Sequence, residues 1–140
     1  MNTLRPTHHC FDDTLDFMSD VPAPMRSQFH LVHGICVMGG VRFAHAWIET
    51  ADVVLQSAYL DGNTSEIVWH STPRARFMLI MSVERFTRYT HVQARIENER
   101  TLHFGPWDDE YRSLCGDSPR DRGIVKVEST PNVGALASLK

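Results

Sequence analysis

The positions Phe11, Thr14, Leu15 and Met18 recur at helical spacing, and Pro22 and Pro24 stop the pattern, so a short helix is predicted over 10–19 with Cys10 in its first turn. A linker over 21–27 follows. The period then changes from helical to alternating: a strand is predicted over 29–37, a turn at Met38-Gly39-Gly40, and a second strand over 41–50. In that second strand Val41, Phe43, His45 and Trp47 share one face, while Arg42, Ala44, Ala46 and Ile48 share the other. Ala51-Asp52 makes a tight turn into a third strand over 53–57, rich in β-branched residues, and the middle of the chain reads as an antiparallel meander.

Beyond a turn at Asp61-Gly62-Asn63, residues 67–69 fit a short edge strand. Ser71-Thr72-Pro73 offers a cap and a first-turn proline for a helix from Arg74 to about Met81, although the apolar run 77–81 would also suit a buried strand. A strand over 83–89 leads to Thr90, which can cap a helix reaching about Thr101, and Gly105-Pro106 closes it. The stretch 116–123 is polar and rich in turn residues, 124–127 could order as a strand, and 134–140 is expected to fray. The expectation is an α+β fold over 1–115, a Cys-bearing helix packed on an antiparallel sheet, with a polar tail over 116–140.

Composition narrows the function classes. At 140 residues, 42% hydrophobic and 22% charged, the chain has the balance of one ordinary globular domain. The net charge of −3 supplies no general basic field, so nucleic acid is not an expected partner, although arginines at 74, 76, 85, 88, 95 and 100 could form a local basic face. Apolar runs such as 77–81 fall far short of the ~20 residues needed to span a bilayer. The first ten residues hold no apolar run for a signal segment, which makes the cytoplasm the expected location.

Three cysteines without a CxxC pair fit neither a disulfide framework nor a four-thiolate zinc site. Eight histidines raise the question of metal, with His8 and His9 beside Cys10, but His30 and His33 stand three apart and face opposite sides of a strand. No metal and no cofactor are expected.

Cys10 at a helix N-terminus, with His45 on a strand, has a chemical rationale. The helix terminus and a nearby imidazole both favour the thiolate, and His45 would serve as base and then acid. Such a histidine needs a third group to hold its ring. With a turn centred near Ala51, residue 45 lies opposite 56 or 57, so Gln56 and Ser57 are the nearest polar options. Trp47, two residues along the same face, could wall a cleft or simply fill the core, and Gly34 could permit close backbone approach or mark a bulge.

A resemblance extends this reading. Leu31-Val32-His33-Gly34-Ile35, His45-Ala46-Trp47-Ile48-Glu49, Tyr89-Thr90 with Ala94, and His103-Phe104-Gly105-Pro106-Trp107-Asp108, with His9-Cys10-Phe11 ahead of them, resemble in order and spacing a group of small phage and bacterial proteins. That group looks like minimal members of the papain-like and transglutaminase-like superfamily. The resemblance covers roughly residues 8–109 and implies a papain-like/transglutaminase-like core with Cys10 as nucleophile and His45 as base. It also implies an aspartate on the next strand, where this chain reads Val54-Leu55-Gln56-Ser57. Gln56 can orient an imidazole, as the Asn of papain-like proteases does, but cannot stabilise imidazolium by charge. Asp52 is the fallback acid.

The function implied is cysteine-dependent acyl transfer on a protein or peptide amide, by a deamidase, amidase or narrow peptidase, with Cys10, His45 and Gln56 catalytic and Trp47, Gly34 and Ser57 lining the cleft. The alternative is an inactive binding protein on the same scaffold, such as a phage-encoded inhibitor of a bacterial protein. The remaining candidates read as structural. Glu49 and Asp52 are expected as solvated turn residues, His91 and His103 as capping or surface groups, Cys36 as core and Cys115 as part of the polar tail.

Overall fold

Alternating strands joined by tight turns build the sheet, and the places where apolar faces remain are covered by helices. The computed structural model describes residues 4–6, 9–60 and 63–115; the expected strand over 124–127 and the tail over 116–140 lie outside the described residues. In chain order the elements are β1 (Leu4–Pro6), α1 (Cys10–Asp20), a 3-10 helix (Ala23–Gln28), β2 (His30–Met38), β3 (Val41–Glu49), β4 (Val53–Leu60), β5 (Asn63–Pro73), α2 (Arg74–Ile80), β6 (Arg85–Tyr89), α3 (His91–Thr101) and α4 (Asp109–Ser113). The fold is α+β, with the N-terminal helix packed on an antiparallel sheet.

The sheet runs β6-β2-β3-β4-β5, every pair antiparallel, and β1 lies along the last residues of β4. The β2–β3 hairpin turns on Gly39 and Gly40, whose φ values of 58° and 79° suit a two-residue loop that other residues adopt only with strain. It pairs along its full length, from Met38↔Val41 to His30↔Glu49. In contrast, β3 and β4 pair only at Ile48↔Leu55 and Glu49↔Val54, so the two strands part beyond Ile48.

Alternation assigns each strand residue to one of two layers. On one face Leu31 and Ile48 pack with Leu15 and Met18 of α1, Ala94 of α3, and Phe104 and Trp107. On the other, Val32, Cys36, Trp47 and Val54 pack against Phe77 of α2. Gly34 makes room for Trp47 on this second face: a methyl group there would stand 2.5 Å from the Trp47 ring and 2.9 Å from the Arg85 carbonyl oxygen. Its role is packing.

Several elements differ from the sequence expectation. The linker over 21–27 is largely a 3-10 helix, started by Pro22 and Pro24 in a region where an α-helix cannot continue. The third strand extends to Leu60, and the expected edge strand over 67–69 is an eleven-residue strand, because backbone pairing with β4 orders its polar residues as well as its apolar ones. The α2 segment is the expected helix and not the alternative buried strand, and Leu79 and Ile80 at its end are exposed. Thr90 caps α3 through a reciprocal box, its hydroxyl accepting from the Gln93 amide while Gln93 accepts from the Thr90 amide. The left-handed Leu102 ends that helix, ahead of Gly105-Pro106.

Candidate active site

His45 stands on β3 at the level where β4 has moved away, with its ring on the α2 side of the sheet among Phe43, Trp47 and Phe77. The β3–β4 register projects His45 opposite Ala58, which puts Gln56 diagonally across on the same face. There the ring and the amide meet: His45 Nε2 and Gln56 Oε1 are 2.9 Å apart. An amide oxygen only accepts, so Nε2 carries the hydrogen and Nδ1 is left as the basic nitrogen. Ser57, expected beside the ring, points to the opposite face with Leu55 and is buried. Asp52 is exposed in the β3–β4 turn and does not reach the imidazole.

Cys10 approaches the same opening from the other side. With a two-residue loop at Gly39-Gly40, hydrogen-bonded pairs alternate along the β2–β3 hairpin, and His33/Ala46 is a non-hydrogen-bonded pair. The Ala46 N–H therefore points away from β2, into the gap where β4 is absent. It is directed at the Cys10 sulfur, which it favours in its anionic form. The structure thus brings the thiol to the backbone of the residue after His45, and brings the ring to Gln56. Among the described residues no hydrogen bond joins Cys10 to His45 directly.

Electrostatics at the site differ from the sequence expectation. A helix N-terminus favours a thiolate, but burial dominates and pushes the Cys10 thiol up to about 12; charge on Cys115, Asp13 and Asp12 works in the same direction. Burial also lowers the His45 pKa, against the opposing effect of its hydrogen bond to Gln56. Both groups are neutral at pH 7. The acids that follow Cys10 in the sequence, Asp12 and Asp13, were the local signal for part of this effect.

Trp47 is fully buried, and its Nε1–H donates to Glu49 Oε2 at 3.2 Å; it is a wall of the core under His45 rather than an exposed side of a cleft. Glu49, expected to be solvated, is 2% exposed and accepts from Arg88 Nε at 2.7 Å, with Arg74 Nε 4.0 Å away. Residues far apart in sequence supply those partners. The arginines of the suspected basic face are largely committed to carboxylates: Arg74 and Arg88 to Glu49, Arg85 to Asp108 and Glu110, Arg95 to Glu99 and Arg100 to Glu97.

Two further histidines flank this region. His103 Nδ1 accepts the Gly105 N–H at 2.9 Å, and the His103 carbonyl takes the Trp107 indole N–H at 2.9 Å, fixing the turn after α3. His33 is fully buried between Phe11, Tyr89 and Trp107, and among the described residues neither ring nitrogen has a hydrogen-bond partner. Among the described residues no group of three or more His, Cys, Asp or Glu is placed to hold a metal ion, and no helix is long and apolar enough to cross a membrane.

No protein-family model, curated protein or solved structure matches this chain.

Proposed function

We propose that the protein is a cysteine-dependent acyl-transfer enzyme with Cys10 as nucleophile, His45 as proton carrier and Gln56 as the group that orients the ring. The observation that carries this reading is the 2.9 Å contact between His45 Nε2 and Gln56 Oε1 at the point where the sheet opens beside Cys10. Gln56 selects the tautomer that leaves Nδ1 basic, which is the state needed to accept a thiol proton. In the forward step the Cys10 sulfur bonds to an amide carbonyl carbon and its proton passes to His45; the proton then goes to the nitrogen leaving group as the C–N bond breaks. Water or an amine next attacks the thioester and returns the thiol. Protein or peptide amides are the proposed substrates, and the papain-like/transglutaminase-like core is the proposed family setting.

The test uses the full chain, 4-nitrophenyl acetate as acyl donor and mass mapping of the acetylated thiol. Acylation at Cys10 should exceed that at Cys36 and Cys115. It should fall on the order of 100-fold in His45→Ala, and fall in Gln56→Ala, with thermal melting unchanged. A second reading, a binding protein on an inherited scaffold, is favoured by the lack of a direct Cys10–His45 hydrogen bond. Acylation of Cys10 equal to that of Cys115 and indifferent to His45→Ala would establish that second reading and remove the first.

A further inference from the structure

Away from the thiol, the C-terminal half of α1 forms one side of an open groove of about 370 Å³, closed by the 3-10 helix and β5. That volume is at the lower end of the range for small-ligand sites, roughly 300–1,000 Å³. Its floor is apolar. Phe17 meets Phe29 and Trp69 edge to face, with ring centroids 5.3 and 5.0 Å apart, and Ile67 extends the wall. Its rim carries Asp16 and Asp20, one helical turn apart on α1.

These acids are poorly placed for stability. Asp12, Asp16 and Asp20 repeat at i, i+4 and i+8, a spacing at which like charges destabilise a helix. Asp20 also sits in the last turn of α1, where the helix dipole disfavours a negative charge and where no basic residue is present. Among the described residues, the ion pairs that use Arg42, Arg74, Arg85, Arg88, Arg95 and Arg100 all end on carboxylates outside α1. Arg26, which follows the lining residue Met25 in the 3-10 helix, directs Nε to the Val21 carbonyl at 3.3 Å. The groove therefore joins an aromatic floor to a rim of negative charge.

Charge complementarity selects a cation, and the floor selects one with a flat, weakly hydrated face and an apolar stem. We propose that this groove binds an arginine side chain of a peptide or protein partner, its guanidinium stacked on Trp69 and Phe17 and bonded to Asp16 and Asp20. Arg fits better than Lys because a planar guanidinium stacks on rings and offers paired N–H groups to a carboxylate, whereas an ammonium is a strongly hydrated point charge. The proposal does not depend on the chemistry assigned to Cys10.

The experiment titrates the full chain with acetyl-Gly-Arg-Gly-amide, and with otherwise identical citrulline and lysine peptides, by calorimetry at low salt and neutral pH. The arginine peptide should bind saturably, and about tenfold more tightly than the uncharged citrulline peptide. Asp16→Asn and Asp20→Asn should each weaken it several-fold while melting at an equal or higher temperature, since each relieves repulsion within α1. That opposition between stability and binding is not expected of acids with a purely structural role. Absence of saturable arginine binding, equal binding of arginine and citrulline peptides, tighter binding of lysine, or binding unaffected by both substitutions would overturn the proposal.

Discussion

His33 makes a sharp prediction about pH. Its imidazole is fully buried against Phe11, Tyr89 and Trp107, with no partner for either nitrogen among the described residues, and burial lowers its pKa from 6.5 to about 3. Between about pH 3 and pH 6.5 the ring is thus neutral in the folded protein and charged in the unfolded chain. For a base whose folded pKa is depressed, the unfolded state binds the extra proton, so stability is unaffected above pH 6.5 and falls as pH drops toward 3. The slope is about 1.4 kcal/mol per pH unit, or roughly 2 kcal/mol lost by pH 5. Other groups obscure the raw curve. His45 and His103 are also lowered and add to the loss, whereas Asp12 and Asp16, raised to about 6 by burial and by mutual repulsion, stabilise the folded state as they protonate. The comparison that isolates the effect is wild type against His33→Leu, by urea unfolding at pH 7.5 and pH 5. Leucine removes two unsatisfied buried nitrogens, so the variant should be as stable as wild type or more so at pH 7.5. Wild type should then lose about 2 kcal/mol more than the variant on going to pH 5. Identical losses in both proteins would refute the reasoning and imply that the ring exchanges protons within the folded state.

Three further perturbations test the packing. Gly34→Ala forces a methyl group to within 2.5 Å of Trp47 and 2.9 Å of the Arg85 carbonyl, where backbone cannot yield cheaply, and should cost about 1–3 kcal/mol in chemical denaturation; an unchanged midpoint would show that β2 and β6 shift freely. Trp107→Ala removes a ring buried against His33 and Tyr89 together with its bond to the His103 carbonyl, and should cost about 3–5 kcal/mol; unaltered melting would place the indole in solvent. Glu49→Gln leaves Arg88 and Arg74 without their buried counter-charge and should cost about 2 kcal/mol, lessened from a fully buried pair because both arginines are more than a third exposed. Stability of Glu49→Gln equal to wild type at neutral pH would sink that account.

Local chemistry was readable from the sequence wherever the interaction itself is local. The alternation through Phe43, His45 and Trp47 assigned a face that the structure keeps, Gly39-Gly40 marked the hairpin, and Thr90 marked the start of α3. What escaped was set by partners distant in sequence. Glu49 beside a turn reads as solvated until Arg88, 39 residues away, is seen to cover it. The extent of β5 depends on its pairing with β4 rather than on its own apolar residues, so only 67–69 stood out. Asp108 lay in a motif noted for its Gly-Pro-Trp, yet its local role is to cap α4 through the Glu110 and Tyr111 amides. At the candidate site the helix terminus behind Cys10 was visible, while the desolvation of its thiol, which reverses the net effect, depends on how α1 meets β3.

The three groups of the proposed site agree with one another in charge. A half-buried cysteine thiol, a half-buried imidazole, both desolvated by their surroundings, and a neutral amide each disfavour an ion pair at rest, and an amide in the orienting position lends no charge to an imidazolium. Chemistry at such a site would start from thiol and imidazole, with proton transfer coupled to attack on the carbonyl. Its pH profile follows from that starting state. The required form is neutral His45, and because burial lowers the His45 pKa, the plateau should extend below pH 6.5; because burial raises the Cys10 pKa to about 12, no thiolate step should appear near pH 8–9. Cys10 acetylation by 4-nitrophenyl acetate, followed from pH 5.5 to 9, should therefore be nearly flat above pH 6.5. In His45→Ala the residual rate should instead climb with pH throughout, as unassisted attack by a small and growing thiolate fraction does. A wild-type profile that rises tenfold per pH unit across neutrality, parallel to that of His45→Ala, would mean that the imidazole takes no part and that the opening between β3 and β4 is not a catalytic centre.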